Sequence, residues 1–462
     1  MDYLTREEIA AWPPDAPLAP GETELERARR SMRSLGLGGN RQQMGLRWGV
    51  VCVALEITQR CNLDCTLCYL SDHSEIVHDL PMEEIHRRIE AIFSRYGANT
   101  DVQITGGDPT LRRRGELLEI VARIRGLGMR PTLMTNGIRA SRKLLRDLAR
   151  HGLVDVAFHV DTTQERRGFD SERSLEPLRD RYIDRARQAG LSIMFNTTIH
   201  AGNLEEIPYL VNYFKQRAGD VRTVAFQLHA DTGRGVLGER DCRITTDNVI
   251  ARIETGAGTG ISFESIRVGH PDCSRYAMCL AVGGELHDLF DDEDFVARLL
   301  PATADLIMHR NRPVRATLGF ARWLITHPRH LAACVRWAAT KVWQKRRRLI
   351  ASRGRVSTLS FTLHNFMDSC RLERERICAC AFKVMTVDGP VSMCLHNAKR
   401  DAYILSPVPI GTASEQRFWQ PLTGRTSAAV APPERLDARA HPLKRLKGRT
   451  RKRVLLANRQ CQ

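Results

Sequence analysis

Absences bound what this chain can be. No run of about 18 uncharged apolar residues occurs, so no membrane-spanning helix is expected. The opening residues, MDYLTREEIAAWPPD, are polar and acidic, unlike a signal peptide, and a cytoplasmic protein is the default expectation. From residue 306 to 367 there is no Asp or Glu, against thirteen Lys or Arg. No glycine- or aromatic-rich nucleic-acid module is evident. No sequence repeat of fixed period appears either.

What is present points to a multi-part cytosolic protein. With 462 residues the chain exceeds one ordinary domain, and 42% apolar residues can bury a sizeable core. The net charge of +17 implies a polyanionic partner, either nucleic acid or an anionic membrane surface. Thirteen cysteines in a long cytosolic chain favour metal binding over disulfides where they cluster. Cys52, Cys242, Cys334 and Cys461 stand alone and read as ordinary core or surface thiols.

Residues 1–48 read as a leader with one helix near Thr23–Leu35. From Val50 the pattern becomes regular. VVCVALEIT is a continuous apolar run rich in β-branched residues, as a buried parallel strand requires. Five more strands follow: DVQIT (101–105), RPTLMT (130–135), DVAFHVD (155–161), LSIMFNTTI (191–199) and TVAFQLH (223–229). Helical stretches at 82–96, 115–128, 144–152, 178–190 and 204–219 separate them. This alternation predicts an α/β fold with a parallel sheet and helices outside; six units over 49–290 suit either an open sheet or a partial (β/α)6 barrel of TIM type, and the barrel is the expectation. Sites in such folds form at the C-terminal strand ends. A basic amphipathic helical segment is expected over 291–360, a cysteine-rich region over 361–413 and a flexible basic tail over 414–462.

Cys61, Cys65 and Cys68 have the spacing CxxxCxxC just after the first strand. Three thiolates this close can hold three irons of a [4Fe–4S] cubane and leave the fourth iron open. A zinc site or coincidence are the competing readings, but zinc sites favour paired CxxC motifs. The motif resembles that of the radical S-adenosylmethionine (SAM) superfamily, with Leu67 where an aromatic residue is usual. The resemblance covers about residues 50–290. It implies that Gly106, Gly107, Asp108 and Pro109 after the second strand meet the SAM ammonium, with Asp108 in place of the usual Glu. Asn136, Asp161 and Asn196 are further candidate contacts to SAM, as are His159 and His229. Each equally reads as a satisfied structural polar residue. The implied chemistry is reductive cleavage of SAM to a radical that abstracts hydrogen from an unactivated C–H bond, with electrons from an external donor such as ferredoxin or flavodoxin. No catalytic side chain is assigned.

Cys273, Cys279, Cys370, Cys378, Cys380 and Cys394 form a looser second group, read as one or more auxiliary iron–sulfur clusters, with zinc or scattered thiols as alternatives. TGGDPTL (105–111), FQLHADTGR (226–234), HPDC (270–273), LHNFMDSC (363–370) and DGPVSMCLHN (388–397) resemble the archaeal tetraether lipid synthases and their bacterial relatives. That resemblance implies C–C coupling of lipid chain ends. The rubredoxin-like module of some members has no counterpart, because residues 1–51 contain no cysteine.

The acid-free segment carries Trp323, Trp337 and Trp343 among apolar residues, with Arg315, Arg322, Arg329 and Arg336 every seventh position. Pro328 is placed to open a second helix. Such a segment suits an anionic membrane interface better than nucleic acid, so a peripheral enzyme acting on a lipid is expected. Two rivals stand beside this reading: a soluble radical SAM methyl- or alkyltransferase acting on a pterin, and an RNA- or ribosome-binding metalloprotein.

Overall fold

The computed structural model describes residues 2–307, 311–412 and 415–430. Its centre is an eleven-stranded sheet. The six strands expected from the sequence are β1 (Cys52–Thr58), β2 (Asp101–Gly106), β3 (Arg130–Thr135), β4 (Asp155–His159), β5 (Ser192–Ile199) and β6 (Val221–Leu228). All pair parallel with their neighbours in chain order. Five more strands complete the sheet: β7 (Ser274–Val282), β8 (Glu285–Asp288), β9 (Val356–Asn365), β10 (Phe382–Met385) and β11 (Pro390–Ser392). Of these, β10 pairs parallel with β1, and β9 parallel with β6. The parallel array therefore has eight strands, two more than the sequence pattern gives.

Among the described residues the array is not hydrogen-bonded into a ring; its order runs from β11 and β10 through β1–β6 to β9, β7 and β8. Its two ends nevertheless meet. The His364 ring on β9 lies edge-on to Phe382 on β10, with centroids 4.8 Å apart. The sheet thus curls into a barrel whose seam is closed by side chains.

Strand periodicity decides what faces where. Val53, Leu55 and Ile57 of β1 point outward to the helices, as do Val102 and Ile104 of β2, and all five are fully buried. The helix Met82–Tyr96 supplies Ile85, Ile89 and Ile92 to the same layer, at the spacing of one helical face. Inward positions such as Ala54, Thr132, Ser192, Thr223, Ala225 and Ser360 are small. The apolar core is therefore a shell between strands and helices, and the barrel encloses a cavity of about 1170 Å³.

After β8 the chain forms a helix, Glu293–Ala302, and then a hairpin of two helices, Pro313–Thr326 and Pro328–Ala351. Pro328 does open the second helix. The break at His327 splits the seven-residue arginine recurrence, two per helix, so the four do not share one continuous helical face. Neither helix contains a fully buried residue. Strand β9 crosses the boundary expected at 360/361, and residues 408–410, 417–419 and 426–427 form a small antiparallel sheet that straddles the boundary expected at 413/414. The remainder of that tail, with Cys461, lies outside the described residues.

Candidate functional site

The loop after β1 carries Cys61, Cys65 and Cys68, each partly buried, at the C-terminal end of the barrel. Neighbouring segments hold it in place. Thr66 donates its backbone N–H to the Thr163 carbonyl (2.8 Å), and its hydroxyl reaches the same oxygen at 3.2 Å. On the other side, Arg234 N–H bonds to Leu70 O and Val236 N–H to Thr66 O, both at 2.8 Å. Gly233 has φ +58°, and a Cβ there would strike the Tyr69 backbone, so this strip beside Cys68 needs glycine.

Arg234 is the residue that sequence reasoning missed. It is buried behind the loop, 3.8 Å from Asp64 and 3.3 Å from both Glu75 and the Leu63 carbonyl. Burial opposes its charge, but the Cys68 sulfur and the two carboxylates outweigh this and raise its pKa. Its signal was its place in FQLHADTGR, a stretch singled out by resemblance without any role for its last residue. Burial, helped by the nearby Cys68 and Asp108, pushes the Cys61 thiol up to about 11.

The Gly106-Gly107 pair packs against the same loop. Gly106 has φ +116°, and a Cβ on either glycine would overlap the Thr58 or Arg60 carbonyl oxygen. Gly107 and Asp108 donate N–H bonds of 2.8 Å to those two carbonyls. The glycines are thus required by the approach of β2 to the cysteine loop, a reason distinct from approach to a ligand. Tyr69 donates its hydroxyl to Gly106 O at 2.6 Å, and Arg400 covers its ring at 4.6 Å.

Asp108 is fully engaged. Its carboxylate accepts from Thr110 N–H (2.9 Å) and Asn136 N–H (3.0 Å), and from the Thr110 and Thr135 hydroxyls at 2.5 and 2.9 Å. It splices the end of β2 to the end of β3, and with Pro109 it sits behind the cavity wall. Asp108→Asn would set an NH₂ group against donors in a buried site. We expect a stability loss of about 1–3 kcal/mol, measured by urea unfolding.

Asn136 donates to Asn62 Oδ1 (2.7 Å) and lies 3.9 Å from Cys61 Sγ. It lines the same end of the cavity as the three cysteines, Gly106, Gly107, His159 and Asn196. Asp161 does not. Its oxygens accept from His159 Nε2, Thr198 N–H and Thr163 N–H at 2.7, 2.7 and 3.0 Å. Burial works against both charges of this pair, yet their mutual attraction prevails: Asp161 is held far below the usual carboxylate range and His159 is raised. The His159 contribution is complete below its unfolded pKa of about 6.5 and fades as pH rises through the raised value. That of Asp161 is present above about pH 4 and fades as pH falls. The stability gap between the wild type and Asp161→Asn should therefore be widest between about pH 4 and 6.5, read from unfolding midpoints across pH. His229 is buried with no partner at Nε2, and burial lowers its pKa. Thr232, beside Cys68 in the cavity lining, likewise has a buried hydroxyl oxygen without a partner.

The second cysteine group divides. Cys273, Cys380 and Cys394 converge on a small cavity at the barrel seam, lined also by His270, His364 and Arg376. Arg376 Nε donates to Cys273 Sγ (3.3 Å), and Met367 N–H to Cys394 Sγ (3.5 Å). Burial pushes Cys273 up to about 11 and Cys394 further. Cys370 and Cys378 are exposed, and Cys279 is buried on β7 opposite Asp288 of β8. Among the described residues no group of three or more His, Cys, Asp or Glu side chains is arranged to hold a single metal ion.

A family model, the Radical SAM superfamily, matches residues 55–227, spanning the cysteine loop, the Gly-Gly motif and β1–β6. Residues 55–227 form a radical SAM domain. The 7,8-dihydro-6-hydroxymethylpterin dimethyltransferase of Methanocaldococcus jannaschii is 26% identical over 39% of this chain and 36% of its own length. The Fe-coproporphyrin III synthase of Methanosarcina barkeri is 28% identical, covering 40% and 45%. The GTP 3′,8-cyclase of Marinobacter nauticus is 30% identical, covering 37% and 52%. The chain thus spans between 36% and 52% of these relatives' lengths. Among solved structures, SuiB of Streptococcus suis bound to SAM is similar at 18% identity, covering 39% of this chain and 42% of that one, with TM-score 0.31. The SAM-bound anSMEcpe structure is similar at 15% identity, covering 44% and 58%, with TM-score 0.35. The radical SAM domain fits its cofactors in this chain: three cysteines of one loop suit a three-thiolate cubane, and the partnerless Thr232 hydroxyl opens beside it.

Proposed function

We propose that this radical SAM enzyme abstracts hydrogen from an unactivated C–H bond of a membrane-lipid alkyl chain, with joining of chain ends as the outcome. The observation that carries the reading is the hairpin Pro313–Ala351. It exposes Val314, Leu318, Ile325, Val335, Trp343 and Ile350, each more than half accessible, within a stretch free of acidic residues. Apolar side chains interleaved with Arg and Lys suit an anionic bilayer interface. Among the described residues no helix is long and apolar enough to cross a membrane, so the contact would be peripheral.

Cys61, Cys65 and Cys68 would hold the [4Fe–4S] cluster, with Gly106, Asn136, Asn196 and Thr232 beside SAM. Bound there, the two cofactors supply a 5′-deoxyadenosyl radical through one-electron cleavage of SAM, the electron coming from an external donor of the ferredoxin or flavodoxin kind. Arg234 braces the cysteine loop from behind through the Leu63 carbonyl, and Asp108 fixes the Gly-Gly turn against the loop. The His159–Asp161 pair fixes the ends of β4 and β5 at the cavity wall. The barrel shields the reacting C–H bond from water. Cys273, Cys380 and Cys394 would hold an auxiliary iron–sulfur cluster at the seam.

A pterin methyl- or alkyltransferase is the second reading, favoured by the Methanocaldococcus jannaschii relative. Mass spectrometry of membrane lipids from cells with and without this gene decides between them. Loss of cross-linked or altered chains on deletion supports the lipid reading; identical lipids under several growth conditions overturn it.

A further inference from the structure

The barrel cavity runs the full length of the strands. Its upper end is lined by the cysteine loop, Asn136 and Asn196. Its lower end lies where the strands begin, and is lined by Trp48, Tyr96, Ala98, Arg130, Leu306 and Ile307. A site that served only SAM and a small substrate at the cysteine end would not need the lower half.

Between the ends, the inward side chains are small or flexible and uncharged: Ala54, Thr132, Met134, Met194, Thr223 and Ala225. Several charged side chains in the lining are tied up in ion pairs. Arg130 bonds Asp101 and Asp155 at 3.1 Å each, Glu56 bonds Arg400 at 2.8 Å, and Glu24 bonds Arg95 at 2.7 Å. Between the ends the lumen therefore presents mainly methyl, thioether and hydroxyl groups, with these ion pairs held at its margins, a lining that accepts an alkyl chain.

The lower mouth adjoins the basic hairpin. Ile307 lines the mouth and is 72% exposed. Asn311 is fastened to the barrel base, donating to Gly128 O at 2.7 Å and facing Arg130 at 3.5 Å. Two residues later Pro313 opens the first hairpin helix. The second helix is moored by Trp337 stacked on Phe295 (centroids 5.5 Å apart) and by ion pairs of Lys341 with Asp291 and Arg348 with Glu285. The apolar and cationic surface thus begins within six residues of the cavity wall.

We infer that the lipid alkyl chain enters the barrel through this lower mouth, from an anionic bilayer docked on the hairpin, and threads up toward Cys61, Cys65 and Cys68. The inference rests on the lipid reading above and adds the route. The energetics favour it: each CH₂ drawn through water costs about 0.8 kcal/mol, whereas a chain passing from bilayer to a lumen lined mainly by small apolar and hydroxyl groups avoids most of that.

The test uses the full-length protein with vesicles of phosphatidylglycerol and phosphatidylcholine. One chain of the phosphatidylglycerol carries a diazirine at its terminal carbon, and photolabelled residues are mapped by mass spectrometry. The expected labels fall on Trp48, Tyr96 and Ile307 at the mouth and on Met134 and Met194 inside. An Ala225→Phe plug removes the inner labels and keeps those at the mouth; if that variant does not fold, the wild-type map decides alone. Labels confined to residues 313–351 overturn the route while leaving membrane docking intact. No labelling anywhere on the chain overturns both the route and the lipid reading.

Discussion

Replacing Cys61, Cys65 and Cys68 together by alanine is expected to lower SAM cleavage by at least about 10³-fold after anaerobic reconstitution, because ligands that act as a unit fail together. The loop has no other cysteine to substitute. The variant should still fold, since the three side chains are only partly buried and the loop is also held by backbone bonds to Thr163 and the 234–236 strip. Iron content discriminates further. Iron retained in this variant, and lost when Cys273, Cys380 and Cys394 are replaced as well, would place a second cluster at the seam. Replacing the exposed Cys242 should change neither reading. Undiminished SAM cleavage by the triple variant would contradict the site assignment.

The second large effect is at the membrane. Arg315, Arg322, Arg329 and Arg336 are all exposed, so changing them to Gln should leave thermal stability nearly unchanged. Each cation near an anionic surface contributes about 1 kcal/mol, so the four together contribute about 4 kcal/mol. Partition onto phosphatidylglycerol vesicles should weaken about 10³-fold, measured by cosedimentation at low salt. High salt should weaken the wild type similarly, because the Debye length falls to about 3 Å at 1 M. Equal binding by variant and wild type would show that the hairpin is not the docking surface.

Elements framed by their own sequence were legible before the structure. The helix Met82–Tyr96 sits between Pro81 and Gly97, and pattern reading placed it to the residue. Strands β1–β6 follow one another in space as in sequence, so the βα alternation predicted their parallel pairing. Strands β9 and β10 were not legible, because they join the array beside β6 and β1 from more than 100 residues away. No local period encodes such a pairing. The same distance hid the seam, where Cys273, Cys380 and Cys394 meet and Cys279, Cys370 and Cys378 do not. At the candidate site the cysteine spacing was self-evident. The part of Asp108 was not, since four donors from two loops decide it. The role of Asp161 was left open between ligand contact and structural residue for the same reason: its partner His159 is two residues away in sequence, but the backbone N–H of Thr198 comes from another strand.

One measurement addresses the central claim directly. Anaerobically reconstituted protein is supplied with SAM, a one-electron reductant and anionic vesicles whose acyl chains are fully deuterated, and the 5′-deoxyadenosine formed is weighed by mass spectrometry. Deuterium carried into the 5′-methyl group is the predicted result, since the abstracted atom then came from a lipid chain. 5′-Deoxyadenosine formed in quantity without deuterium would contradict the account and send the search to a different, soluble substrate.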